Sequence, residues 1–426
     1  MPTISDHPLR YALTNELHAR PFPSVAAPSH AVYLAMKRKE GAAGSDRAAE
    51  WDHLLDLLNR FGAQHPQPDA THYSGQIGRF TLKWESHTEF VTYTIFTEGA
   101  VDHPFAADAF AVFPEDWLAA APGQRVSSAI IQIEQTAEEA DMLDKASKWF
   151  VPESIAISRV LDGALVVAAD FRIDSAGHMR FAVFARDEVG TRRIGRVIQR
   201  LCEIETYKSM AMLGLMRARE MSSELALIDT KLTSLLSDMA GTASDPASVL
   251  SQLLEVSAQV ENMSVQSAYR FAATGAYEKI VNQRIEVLRE ERFLGRQTFG
   301  EFMVRRFDPS MRTVNATERR LQVMSDRALR AGELLRTKVD VERSAQNQAL
   351  LTSMDKRAEL QLRLQKTVEG LSIVAVSYYA VNIVLYLLGP LEKTLAISKT
   401  ILAAGVTPLV LICVWLLLRN LKKKIG

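Results

Sequence analysis

Hydrophobic residues change their spacing along this chain, and the changes divide it into regions of different structure. Up to about residue 186, short runs of alternating or β-branched residues are interleaved with helix-like stretches. Ser29 to Lys37 (SHAVYLAMK) reads as a strand, and Asp46 to Phe61 as a helix with Trp51, Leu54, Leu55, Leu58 and Phe61 on one face. GRFTLKWES and EFVTYTIFT predict two antiparallel strands joined near His87 and Thr88, since both are rich in aromatic and β-branched residues. VSSAIIQIE predicts a further strand, and Ala137 to Phe150 a helix. ESIAISRV, GALVVAADFRI and HMRFAVFAR close the region as three strands, with Asp174-Ser175-Ala176-Gly177 as the last turn. Seven strands with interspersed helices give an α/β or α+β domain over residues 1–186, whose strand order the pattern leaves open.

Near Glu188 the texture becomes helical and stays so. The main breaks in a helical region over 187–308 are Gly241 to Pro246 and Asp308-Pro309, both with helix-start residues before a proline. Ser310 to Leu388 contains no proline. If continuous, a stalk helix (309–370) running into the next segment would be on the order of 120 Å long. No single heptad seam persists along all of it, which favours a bundle of several helices over a two-stranded coil.

Two apolar runs end the chain, LSIVAVSYYAVNIVLYLL (371–388) and ILAAGVTPLVLICVWLLL (within 400–418). Each is free of charge over a length that spans roughly 27 Å as a helix, close to the thickness of a bilayer core. They predict a transmembrane hairpin with a short outer loop (389–399), in which Gly389-Pro390 stops the first helix. The tail (419–426) carries Arg419, Lys422, Lys423 and Lys424, and Lys356, Arg357, Arg363 and Lys366 precede the first span. The loop offers only Lys393 and Lys399, so the basic excess predicts cytoplasmic termini and a large cytoplasmic body.

Charge changes this picture little: 50 basic and 50 acidic residues balance, which argues against a nucleic-acid grip. The two cysteines, Cys202 and Cys413, exclude a disulfide framework or a cysteine metal site. No basic segment followed by an apolar run opens the chain, so no signal peptide is expected. Phosphate-loop, dinucleotide and nucleophile-elbow motifs are absent, so neither enzymatic activity nor a cofactor is expected.

Three groups of residues carry candidate chemistry. In DHPLRYALTNELHARPFP (6–23), extended geometry before Pro21 would set Glu16, His18 and Arg20 on one face, with Asn15 beside them. That set suits anion binding or proton transfer, or else ion pairs that staple the N-terminus to the domain. The nine histidines all precede residue 179 without metal-binding helical spacing, and read mainly as surface residues. Arg192, Arg193, Arg196 and Arg200 form a basic stripe, either a solvated face paired with Asp187, Glu188 and Glu203 or a seat for a phosphate or an acidic partner. Inside the first span Ser372, Tyr379, Asn382 and Tyr386 share a stripe with Ala375, extended below by Gln361 and Gln365. An amide at that depth must face protein or water, so the stripe is either helix-packing glue or a hydrated path.

NELHARPF (15–22) together with TVEGLSIVAVSYYAVNIVLYLLG (367–389) resembles a bacterial family of predicted membrane-anchored proteins of unknown function, over nearly the whole chain. That resemblance implies the bacterial inner membrane. The layout is also similar to that of the CorA-type divalent-cation channels: a cytoplasmic α/β domain, a long stalk helix, two spans and a basic tail. That similarity implies a homo-oligomer and a divalent cation as cargo. Where those channels carry Gly-Met-Asn, this chain reads Gly389-Pro390-Leu391, and its outer loop is slightly basic. The reading is an oligomeric ion channel or transporter in the lipid bilayer. Its alternative is a non-transporting anchor whose cytoplasmic body binds a protein partner or a small ligand.

Overall fold

The computed structural model describes residues 4–11, 13–14, 22–38, 46–68, 70–186, 188–240, 246–395 and 399–425, and the structural statements that follow concern these. The strands are β1 (Ser29–Lys37), β2 (His72–Ile77), β3 (Phe80–Ser86), β4 (Phe90–Glu98), β5 (Gln124–Gln135), β6 (Ala156–Val160), β7 (Leu165–Ala169), β8 (Met179–Ala185) and β9 (Glu291–Arg292). They form one sheet in the order β2-β3-β4-β1-β5-β8-β7-β6-β9. All neighbours are antiparallel except β5 and β8, where Ala129 stands opposite Met179 in a parallel pair. The mixed α/β class follows.

Two of the nine strands have no counterpart in the hydrophobic pattern. HYSGQI (β2) is half exposed and carries Ser74 and Gly75, so it lacks the β-branched density that marks a strand. β9 is two residues long and lies in the region expected to be helical.

Because side chains alternate along a strand, β1 sends Val32, Leu34 and Met36 to one face and Ala31, Tyr33 and Ala35 to the other. On the first face, α1 (Asp46–Arg60) and α2 (Glu115–Ala119) pack Leu54, Leu57, Leu58 and Trp117 against Leu82, Trp84, Tyr93 and Ile95. A separate cluster on that face sets Met142, Ala146 and Phe150, of α3 (Glu139–Trp149) and its end, against Ile157, Val166, Ala168 and Phe184. Each large side chain so buried contributes about 1.5–3 kcal/mol. A 3-10 turn (Ala107–Val112) precedes α2 on the same side.

The opposite face is covered by α4 (Thr191–Ala240), where the Tyr33 and Thr206 hydroxyls meet at 2.6 Å. α5 (Pro246–Glu286) returns antiparallel to it, with Arg217 on Gln266 and Lys231 on Glu255. The two helices approach so closely that a Cβ on Gly214 would overlap the Thr274 hydroxyl. After the short α6 (Phe299–Arg306) comes α7 (Asp308–Leu395), whose early residues Arg320 and Arg327 both reach Asp229 of α4. α8 (Lys399–Ile425) completes the chain.

The helical region is broken at a place the sequence texture hides. Between α5 and α6 the chain leaves the helix over 287–298, buries Leu288 and Phe293 completely and adds β9 to the sheet. Thr298 and Glu301 then form a reciprocal capping box, which starts α6. A second difference concerns Gly389-Pro390, expected to stop the first span: α7 runs through both residues to Leu395. Proline removes one backbone donor, which kinks or weakens a helix without necessarily ending it.

Two helices are long and apolar enough to cross a membrane, α7 through its last third and α8. Only 6% of the first apolar window and 0% of the second are buried in the chain, unlike the core helix of a soluble domain.

Candidate functional site

Two hollows flank the sheet, and their sizes separate them. The first lies between β3, β4 and α4, with room of about 20 Å³. That holds roughly one water molecule. Its walls form a chain of polar groups. Lys83 pairs with Glu85 at 3.2 Å and donates to Gln199 at 2.7 Å; Gln199 donates to Glu203, which also accepts from Arg284 of α5. Nearby, Glu89 accepts from Arg270 at 2.8 and 3.2 Å and from Tyr277 at 2.6 Å. Burial pushes the Glu89 carboxyl up, but the hydrogen bonds from Tyr277 and Arg270 outweigh it and hold the group below its ordinary range. The resulting stabilisation is present above the ordinary carboxylate pKa and is lost as the pH falls through the depressed one. These groups tie the helical layer to the sheet. Burial also pushes the Cys202 thiol well above its usual range, so it is no nucleophile.

The second hollow lies on the opposite face, over the middle of the sheet, and measures about 630 Å³. That is within the usual range for small-molecule sites. Leu34, Met36, Phe110 and Phe113 give it an apolar lining, and Asp108, Glu115, Arg125 and His178 are its ionisable members.

The sequence-predicted residues fall elsewhere. Asn15, Glu16, His18 and Arg20 lie outside the described residues. The chain directly after them is seated: Phe22 lies under the Arg196 guanidinium, Ser24 meets Thr191 at 2.6 Å, and the Val25 amide donates to the Thr191 carbonyl at 3.1 Å. The basic stripe is therefore not uniformly solvated. Arg192 and Arg193 are exposed, whereas Arg200 is partly buried and donates to the Val287 carbonyl at 2.8 Å.

The histidines depart from a surface role in two clear cases. His53 is 7% exposed, stacked on Trp117 at 3.9 Å, with Nε2 at 2.9 Å from the Trp117 carbonyl. His178 is 5% exposed and stacked on Phe110 at 4.0 Å. Burial lowers the pKa of both, so both are held neutral near pH 7. Sequence spacing gives no hint of either, because their partners come from distant segments. Among the described residues no group of three or more His, Cys, Asp or Glu could hold a metal ion.

In the apolar part of α7 Ser372, Tyr379 and Tyr386 are exposed, and Asn382 is partly so. The Asn382 amide donates to the Tyr378 carbonyl at 3.0 Å, a bond within its own helix. The stripe is uncovered in the single chain, while Ser377, on another face, is buried.

No curated protein and no solved structure matches the chain significantly. A family model does so over residues 5–425, and the chain belongs to that family, described as "Protein of unknown function (DUF3422)".

Proposed function

We propose that this protein is a membrane-anchored homo-oligomer of the bacterial inner membrane, whose copies associate along α7 and enclose an ion path in a CorA-like manner. One observation carries the reading. Every residue from 340 to 368 is exposed in the single chain, including Leu350, Leu351, Met354, Leu360, Leu362 and Leu364, each 58–65% exposed. A lone helix gains nothing in water from such a surface, whereas a bundle of copies buries it.

The spacing supports one continuous seam. Leu351, Met354, Ala358, Gln361, Gln365, Val368, Ser372, Ala375, Tyr379, Asn382 and Tyr386 follow alternating steps of three and four. That is the repeat of a left-handed supercoil. Its membrane half, from Ser372 to Tyr386, is polar or small. The stripe one position before it is mainly apolar, with Leu350, Leu360, Leu364, Leu371, Val374, Tyr378, Val381 and Leu385 interrupted by Ser353, Arg357 and Thr367. Two adjacent stripes of this kind suit a ring in which the apolar one packs against the neighbour and the polar one faces a common axis.

Single cysteines at 361 and 365, after Cys202 and Cys413 are replaced, are expected to form intersubunit disulfides in isolated membranes, with a cysteine at 359 lagging. Cysteines at 372, 379, 382 and 386 are expected to react with small water-soluble thiol reagents, and liposomes holding the protein should pass divalent cations. Cross-linking with dry spans and no flux would leave an oligomeric anchor; absence of cross-linking would remove the assembly itself. Asn382→Leu should change flux with assembly intact if the amide lines the path. It should weaken assembly by roughly 1 kcal/mol if the amide is helix-packing glue.

The orientation belongs to the same reading. A reporter active only outside the cytoplasm is expected to be silent at Gly426 and active near Glu392, and the reverse pattern would overturn the cytoplasmic placement of the body.

The alternative, an anchor whose body senses a small ligand, is favoured by one feature, the hollow of about 630 Å³ on the sheet.

A further inference from the structure

The three strands at the centre of the sheet bring distant residues into rows. β1 sets Leu34 opposite Ser128 of β5, and His178, the residue just before β8, meets Ser128 on the face that carries the larger hollow. Phe110, from the 3-10 turn, closes down on the His178 ring at an interplanar angle of 22°. The Ser128 hydroxyl gives its proton to the Gly177 carbonyl at 3.2 Å, so its oxygen accepts from His178 Nδ1 at 3.0 Å. This assigns the imidazole proton to Nδ1 and leaves Nε2 as a bare acceptor. Among the described residues Nε2 finds no partner, although the ring is 5% exposed and lines the hollow.

Arg125 stands beside it. A Cβ on Gly177 would lie 2.8 Å from Arg125 Nη2, so the bare glycine is what lets the guanidinium lie against the turn next to His178. Gly177 also has φ of +91°, a conformation that favours glycine. The Arg125 guanidinium makes no hydrogen bond or ion pair with any described residue. A free fork of five donors and a fixed acceptor therefore adjoin an apolar lining of Leu34, Met36, Phe110 and Phe113. The carboxylates of Asp108 and Glu115, also in the lining, disfavour a ligand with a second negative charge.

We propose that this hollow binds a small monoanionic 2-hydroxy acid with an apolar or aromatic body. Its carboxylate sits on Arg125, its hydroxyl donates to His178 Nε2, and its body rests on Phe110 and Phe113. A guanidinium matches a carboxylate by two parallel bonds, and a site built to accept from a hydroxyl penalises an analogue without one. The site does not depend on whether the membrane segment conducts.

Calorimetric titration of the full chain in nanodiscs tests this, with empty nanodiscs as reference. The probes are 3-phenyllactate, 3-phenylpropanoate (no hydroxyl) and 3-phenylpropane-1,2-diol (no carboxylate). Phenyllactate is expected to bind saturably, the phenylpropanoate ~3–10-fold more weakly, and the diol at least ~10-fold more weakly. Arg125→Gln, at an exposed position, should weaken phenyllactate by about tenfold or more and leave folding intact. His178→Phe keeps the ring stack and should erase the preference for the hydroxyl. Ala111→Trp, at the exposed rim, should block all binding. Absence of saturable phenyllactate binding, a diol that binds as well, or wild-type affinity in Arg125→Gln would each overturn the assignment.

Discussion

Arg270→Met is expected to destabilise the sheet domain by ~3–5 kcal/mol, the usual cost of stranding one member of a buried ion pair. The Arg270 and Glu89 side chains are 11% and 8% exposed, so solvent screens the pair little. Glu89 sits just before β4, in the β3–β4 connection, and Arg270 on α5, so this pair joins segments 181 residues apart. Without the guanidinium the carboxylate keeps Tyr277 but loses its counter-charge. Urea unfolding followed by tryptophan fluorescence reads the effect, since Trp84 and Trp117 are fully buried in the sheet core. Glu89→Gln combined with Arg270→Met should recover most of the loss, because the double variant no longer buries a lone charge. A single-variant cost below about 1 kcal/mol, the range of exposed ion pairs, would show that the pair does not hold the helical layer.

How much of this was legible in the sequence depends on whether the signal was local. β1 occupies the run read as a strand, and α1 ends one residue before the expected boundary. Aromatic and β-branched density or 3.6-residue spacing marks such elements without help from elsewhere. The parallel β5–β8 pair was not legible, because β6 and β7 intervene in the chain and nothing in either strand names its neighbour. The break at 287–298 contains no proline and a single glycine, Gly295, so it reads as helix. Its signal was the Thr298-x-x-Glu301 capping box. The ligand hollow was invisible for another reason. Arg125, His178 and Phe110 come from separate segments and meet only once the central strands are paired. The stripe around Asn382, by contrast, is a local helical spacing and could be read directly.

Gly195→Ala is expected to unseat the segment that follows the NELHARPF motif. Within a helix alanine is normally better than glycine by up to about 1 kcal/mol. Here the new Cβ would overlap the carbonyl oxygen of Pro23, a backbone atom that cannot rotate aside. Overpacking of this kind costs about 1–3 kcal/mol, so the clash outweighs the gain in propensity. The affected contacts are the Val25 amide to Thr191, the Ser24–Thr191 hydroxyl pair and the burial of Val25 at 3% exposure. Hydrogen exchange over residues 22–28 should rise by roughly 5- to 150-fold, the rate ratio of that opening energy. The sheet core should stay protected. Unchanged exchange in that peptide would mean that Gly195 is not what admits the segment.

The two-residue strand β9 has a consequence for how the chain is made. Arg159 of β6 donates to the Arg292 carbonyl, 133 residues downstream, and Phe293 completes the core cluster under α3. At ~5–20 residues per second of synthesis, the β6 border emerges from the ribosome roughly 7–27 s before the residues that cap it. Through that interval the nascent sheet presents an open row of backbone donors and acceptors beside an incomplete apolar cluster. The long apolar segments of α7 and α8 have not yet been translated. The sheet stays open to pairing with another strand until α4 and α5 are finished and the strand that follows them closes the edge.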